Sequence, residues 1–293
     1  MSFQGSSVTG AGTDRPSRVR SLLWVGNTTQ SALEAALEGS AADLVVADLE
    51  DTVAGARKHE VRELLRQTFE ERRSDPGRRP LFVRPNPLDT AIGLADLAVL
   101  AEAGVDGLVV PKATPEVLGT AFAAGVIRLV ALIETAEGVE RATESAACPG
   151  VELIELGAMD LALDIHTEAK VGGQDLIYTR SRLVMASRAA GLPGPIDAIF
   201  PNVDDGDGYL RAAAIGRELG FGGMPCLTED QVALANDFFT PTDEEVARAR
   251  LVVDSYDAAV AKGEGVVEVD GTMVERPTAE RARNLLQEAG VAG

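Results

Sequence analysis

Short runs of apolar residues alternate along most of the chain with longer stretches whose apolar residues recur every three or four positions. The short runs are read as strands: Leu22–Val25, Leu44–Ala47, Leu81–Val83, Gly107–Val110, Leu129–Ile133, Leu153–Leu156, Ala198–Phe200 and, weakest, Phe221–Met224. Between them, Ser31–Glu38, His59–Arg72, Leu94–Ala103, Ala136–Ala146 and Tyr178–Ala190 each carry one apolar face at helical spacing. The runs are continuous, which suits a parallel sheet buried on both faces. Eight strands with helices between them predict an α/β fold, a (β/α)8 TIM barrel. A doubly wound dinucleotide fold has no support, because no Gly-x-Gly-x-x-Gly follows any run.

After Phe239 the pattern changes. Thr242 and Glu245 form a capping-box pair at the head of a helix that reaches about Lys262, where Gly263 stops it. Val266 to Val274 reads as a hairpin around Asp270-Gly271, and a last amphipathic helix follows Pro277. Three parts are expected: a disordered tail over 1–17, the barrel over 18–239, and a helix–hairpin–helix extension over 240–293.

Composition narrows the function. A formal charge of -19 will repel nucleic-acid phosphates and anionic headgroups, so nucleic-acid and membrane partners are not expected. Small anions would need local cations, such as Arg84 and Lys112, or a metal. The two cysteines, Cys148 and Cys226, suggest no disulfide framework and fit a reducing cytoplasm. The Gly-, Ser- and Thr-rich start to Ser17 has no signal-peptide core. No apolar run is long enough to span a bilayer.

In such barrels the active face lies just beyond the strand C-termini. Reading off those positions gives Asp48, Glu50 and Asp51, then Arg84 and Asn86, Pro111 and Lys112, Glu134, Asp160, and Asn202, Asp204 and Asp205. Glu134 and Asp160 suit a hard cation such as Mg²⁺, which takes one or two carboxylates and completes its shell with water and substrate. A lone Glu134 would equally serve the head of the helix beginning near Thr135, but a matching Asp160 favours the cation. Two histidines, His59 and His166, are too few and too badly placed for zinc. Arg84, aimed by Pro85-Asn86-Pro87, can grip a carboxylate with two bonds, and a buried salt bridge to Asp48 or Glu50 would orient it. Lys112 could form a Schiff base, but carboxylates nearby favour an electrostatic role. Trp24 reads as core or pocket wall.

These residues, in this order, resemble the HpcH/HpaI aldolase and citrate lyase β-subunit family, in its CitE-like branch. The matching segments include Arg20-Ser21-Leu22-Leu23, Asp48-Leu49-Glu50-Asp51-Thr52-Val53 with Lys58 and Arg62, and Val83-Arg84-Pro85-Asn86-Pro87. Val110-Pro111-Lys112, Leu132-Ile133-Glu134-Thr135-Ala136, Gly157-Ala158-Met159-Asp160-Leu161, Tyr178-Thr179-Arg180-Ser181-Arg182, Pro195-Ile196-Asp197 and Asp270 to Pro277 continue it.

The resemblance implies a Mg²⁺-dependent carbon–carbon lyase or aldolase with Mg²⁺ on Glu134 and Asp160. Its substrate would be a small hydroxy or oxo carboxylate, carried as a citryl-, malyl- or citramalyl-CoA type thioester. It implies substrate contacts by Arg84, Glu134 and Arg20, ordering by Asp48 and Glu50, and Glu275 as an acid or base approaching from another subunit of a homotrimer or hexamer. A malyl-CoA-type thioesterase and a non-catalytic oxo-acid-binding protein are the alternatives. Two segments and one residue depart from the family pattern. Gly26-Asn27 stands where Pro-Gly is usual, Gly223 to Gln231 lacks the usual Lys and His-Pro, and Glu275 stands where Asp is usual.

Overall fold

The computed structural model describes residues 18–75, 77–168 and 174–291, so the expected tail over 1–17 lies outside the described residues. Seven strands form one parallel sheet: β1 Ser21–Val25, β2 Leu44–Asp48, β3 Leu81–Arg84, β4 Gly107–Val110, β5 Leu129–Ile133, β6 Val151–Leu156 and β7 Met224–Cys226. Their order is β6-β5-β4-β3-β2-β1-β7, and helices cover the outer face. The result is an α/β fold built on a curled parallel sheet.

The expected seventh strand, Ala198–Phe200, does not form. In its place Ile196 makes single parallel bridges to Glu155 on β6 and to Gly223 just ahead of β7. Pro195 has no N–H to give a ladder. Asp197 Oδ1 accepts the Ala198 N–H at 2.8 Å, taking the donor that would extend the strand. The same oxygen is held at 2.9 Å by Arg180 Nε in a buried ion pair. The last strand lies at Met224–Cys226 rather than Phe221–Met224, because Phe221 N closes the preceding helix on Gly216 O at 3.0 Å and Gly222 N reaches only Pro195 O at 2.9 Å.

Period-two alternation sorts each strand's side chains between two cores. Leu23, Val25, Val45, Ala47, Leu81 and Val83 face the helices. Leu22, Trp24, Leu44, Val46, Phe82, Val109, Val130, Leu132 and Leu153 face the enclosed side of the sheet, with Ile196. Asp48, Arg84, Glu134 and Glu155 continue that second parity to the C-terminal ends of β2, β3, β5 and β6. The sheet therefore delivers charged groups to the last layer of an otherwise apolar interior.

Beyond the sheet, the helix Asp243–Val260 begins with the Thr242–Glu245 capping box. β8 Val266–Val269 and β9 Thr272–Glu275 pair antiparallel. Asp270 and Gly271 between them both have positive φ, 50° and 75°, the requirement of a two-residue type I′ turn. The hairpin and the helix Arg276–Glu288 share a small core with the first helix through Val252, Tyr256, Val269, Val274 and Ala279. Among the described residues no helix is long and apolar enough to cross a membrane.

Candidate active site

Arg84 ends β3 beside Asp48, which ends β2 in register with it. Nε and Nη2 donate to the two Asp48 oxygens at 2.7 and 2.8 Å, a bidentate grip. Nη1 reaches Glu50 Oε2 at 3.0 Å and Asp51 Oδ2 at 3.3 Å. The guanidinium also lies over the Trp24 ring, 4.8 Å from its centroid. Asp48 further accepts from Glu50 N, Thr52 N and Thr52 Oγ1 at 2.9, 3.0 and 2.7 Å. Burial alone would raise its pKa, but the bonds and charge of Arg84 outweigh burial and hold it below the usual carboxylate range.

The turn after β2 is tied from outside. Lys58 Nζ donates to Leu49 O, Glu50 O and Asn86 Oδ1 at 2.8, 2.6 and 2.6 Å. Asn86 is fixed in turn by Asp96, a fully buried acid paired with Arg62 at 2.5 Å. This network accounts for the Lys58, Arg62 and Asn86 positions singled out in the sequence: they hold the acidic turn in place.

Three carboxylates converge on one ammonium. Lys112 Nζ lies 3.7 Å from Glu50 Oε1, 3.8 Å from Glu134 Oε1 and 3.5 Å from Asp160 Oδ1. These separations exceed a good hydrogen bond, so the lysine balances the acids without saturating their lone pairs. Burial raises the pKa of both Glu50 and Glu134 to about 7, and nearby acids add to it, Asp51 and Asp48 at Glu50, and Glu50 and Asp160 at Glu134. The Lys112 ammonium is opposed by its own burial, yet Glu134, Glu50 and Asp160 raise its pKa. The site carries more negative charge than its one free-standing ammonium answers. Its donors are all oxygens, which suits a hard divalent cation. Among the described residues no three His, Cys, Asp or Glu side chains form a ready-made cage, so such a cation would rest on Glu134 and Asp160 and keep open positions.

Local structure places both acids. Glu134 does not cap the following helix; Thr135 does, accepting from Gly138 N at 3.0 Å. Glu134 Oε1 instead takes the Lys112 N–H at 2.8 Å, where Lys112 itself is held at φ 47°. Its side chain crosses Gly157, where an added Cβ would stand 2.5 Å from Glu134 Cβ and 2.6 Å from Oε2. Asp160 lies in the first turn of the helix Ala158–Asp164, not on the strand, which brings its carboxylate back over the sheet end.

A cavity of about 160 Å³ opens between these groups, lined by Trp24, Arg84, Glu134, Glu155, Asp160 and Leu132 among others. Glu155 is the group that sequence reasoning missed. It is an acid inside an apolar strand, at the same parity as Leu153, and that pattern was the available signal. Trp24 Nε1 donates to its Oε1 at 3.1 Å, and burial pushes its pKa up to about 8.

Other expected residues lie elsewhere. Arg20 precedes β1 at the opposite end of the sheet, gripping Asp43 with Nε and Nη2 at 2.9 and 2.7 Å and reaching Thr240. It joins strand starts rather than touching the cavity, so its expected substrate contact is withdrawn. Glu275 ends β9 and is exposed on the extension. Asp205 caps the helix Gly206–Leu219, accepting from Gly208 N, and Asn202 and Asp204 are exposed. Of the two departing segments, Asn27 takes a left-handed φ of 46° and donates its N–H to Thr52 Oγ1 at 2.9 Å, linking it to Asp48. The other supplies β7 and the Thr228 cap of the helix Glu229–Phe239.

Comparison with known proteins agrees with this frame. Residues 20–228 match the HpcH/HpaI aldolase/citrate lyase family. The chain is 31% identical to the citrate lyase subunit beta of Leuconostoc mesenteroides subsp. cremoris, over 92% of each chain. It is 34% identical to the (3S)-malyl-CoA thioesterase of Cereibacter sphaeroides, over 92% of this chain and 94% of that one. Its fold superposes with a TM-score of 0.74 on the CitE protein of Mycobacterium tuberculosis, crystallised with magnesium, acetoacetate and coenzyme A, at 27% identity and over 93% and 98% of the two chains. With a family match over most of its length and relatives this similar across nearly the whole sequence, the chain belongs to the HpcH/HpaI aldolase/citrate lyase family.

Proposed function

We propose that this protein is a Mg²⁺-dependent carbon–carbon lyase acting on a small hydroxy or oxo carboxylate as its CoA thioester. The observation that carries the reading is the meeting of Glu134, Asp160 and Arg84 at one cavity, with the arginine held by Asp48. Glu134 and Asp160 would hold the metal, which supplies Lewis acidity to the oxo or hydroxy oxygen of a substrate. Arg84 would take the substrate carboxylate with the N–H groups that Asp48 leaves over, in place of Glu50 and Asp51, and its contact with the Trp24 ring sets the orientation of the planar fork. Asp48 and Glu50 order the arginine. In cleavage a base removes the hydroxyl proton, the carbon–carbon electrons pass to the thioester enolate, and an acid returns a proton to that carbon. Glu275 of another subunit is assigned that acid–base role.

The proposal extends to architecture. Ile196 stands in for the seventh strand of a (β/α)8 barrel over 18–239, and the extension from 240 covers a neighbour's site in a homotrimer or hexamer. Exposed Met159, Leu163 and Ile165 after β6, with Ile177, Tyr178 and Met185 on the helix Ile177–Ala189, supply apolar surface for such contacts. The proposed location is the cytoplasm, a reading that the two free cysteines support.

A thioesterase is the second reading, favoured by the similarity to the malyl-CoA thioesterase. Product analysis with malyl-CoA separates the two. Acetyl-CoA plus an oxo acid is the expected outcome; free malate plus CoA would replace the lyase by the hydrolase.

A further inference from the structure

Glu155 has one oxygen that the fold does not use. Its Oε1 accepts from Trp24 Nε1, while Oε2 is equally buried and has no hydrogen-bond partner. The surrounding inward layer is apolar, including Leu22, Leu132, Leu153 and Ile196, so an apolar side chain would fill this position without leaving a polar atom unpaired. Trp24 both steadies Glu155 and lies under Arg84, which couples the acid to the carboxylate-binding arginine.

Depth decides what Glu155 could meet. Its partner in register on β5 is Leu132, one inward position below Glu134. A ligand held between Glu134 and Arg84 would therefore present its next substituent to Glu155 at the cavity wall. A volume of about 160 Å³ equals roughly five waters of liquid, the scale of a small oxo acid with room for a short substituent.

We propose that Glu155 is a specificity residue that binds a hydroxyl on the carbon next to the keto group, so that the site prefers a 3-hydroxy-2-oxo acid to its unsubstituted counterpart. The inference rests on the proposed oxo-acid site and names its substrate class. A hydroxyl both donates and accepts, so it pairs with Glu155 in either protonation state. Burial keeps much of Glu155 neutral near pH 7, which spares the anionic ligand a repulsion. A site built to bond a hydroxyl rejects the analogue without one, because its own polar group is then left unpaired.

Calorimetric titration with hydroxypyruvate and pyruvate, both with saturating Mg²⁺, tests this. Hydroxypyruvate is expected to bind the wild-type chain about fivefold or more tighter, the worth of one net hydrogen bond. Glu155→Leu should bring the ratio to about one, while Glu155→Gln, which keeps a donor and an acceptor, should preserve most of it. Equal affinities in the wild type, or an unchanged ratio in Glu155→Leu, would overturn the inference while leaving the oxo-acid site standing. Binding of neither acid would overturn both. Should the leucine variant fail to fold, the wild-type ratio and the glutamine variant still decide.

Discussion

Asp48 grips Arg84 with both carboxylate oxygens, at 2.7 and 2.8 Å, and the pair is buried at the ends of adjacent strands. Removing Asp48 strips the buried guanidinium of its bidentate partner and leaves only Glu50 and the exposed Asp51 beside it. Asp48→Asn should cost about 3–5 kcal/mol in denaturant unfolding, and activity should fall further because the guanidinium loses its aim. The pH dependence has a definite sign. The folded Asp48 pKa lies below its unfolded value of about 3.8. Its contribution is therefore present above that value and lost as pH falls through the folded pKa, so the gap between wild type and variant should close in acid.

Glu155 gives the opposite dependence. Its folded pKa, about 8, stands above the unfolded 4.5. The stabilisation tied to the neutral acid is complete below pH 4.5 and is lost as pH rises towards 8. Glu155→Gln keeps the acceptor for Trp24 and cannot ionise. Melting curves should show the variant gaining on wild type between those pH values and holding a constant lead above them; a constant difference throughout would remove the buried ionisation.

Gly157 should be intolerant both for packing and for the metal site. An alanine Cβ would come within 2.6 Å of Glu134 Oε2, so the carboxylate must swing away. Gly157→Ala is expected to weaken Mg²⁺ binding about tenfold or more, roughly 1.4 kcal/mol, and to lower the melting temperature as well, because the 2.5 Å contact with Glu134 Cβ yields only to a backbone shift. Mg²⁺ titration monitored by calorimetry reads this directly.

Much of this site was legible because strand ends are written in sequence as an apolar run followed by a charged residue. Asp48, Arg84 and Glu134 follow that rule, and period-two alternation fixes the face they share. Asp160 was found by the same reading, although a helix turn carries it. Three features were misread or passed over. Glu155 was passed over as strand interior, although its shared parity with Leu153 put it on the inward face. Arg20 looked like part of the site because its motif does, but it stands before its strand, and a strand has two ends. Ala198–Phe200 had strand composition, but Pro195 and the Asp197 side chain take away the donors that pairing requires.

The most direct test of the account is a calorimetric titration of Mg²⁺, with a 2-oxo acid present, into the wild type and into Glu134→Ala and Asp160→Ala. One Mg²⁺ per chain should bind the wild type, and either alanine variant should lose that binding together with lyase turnover while staying folded. Unchanged Mg²⁺ binding and turnover in both variants would contradict the assignment of the metal to Glu134 and Asp160.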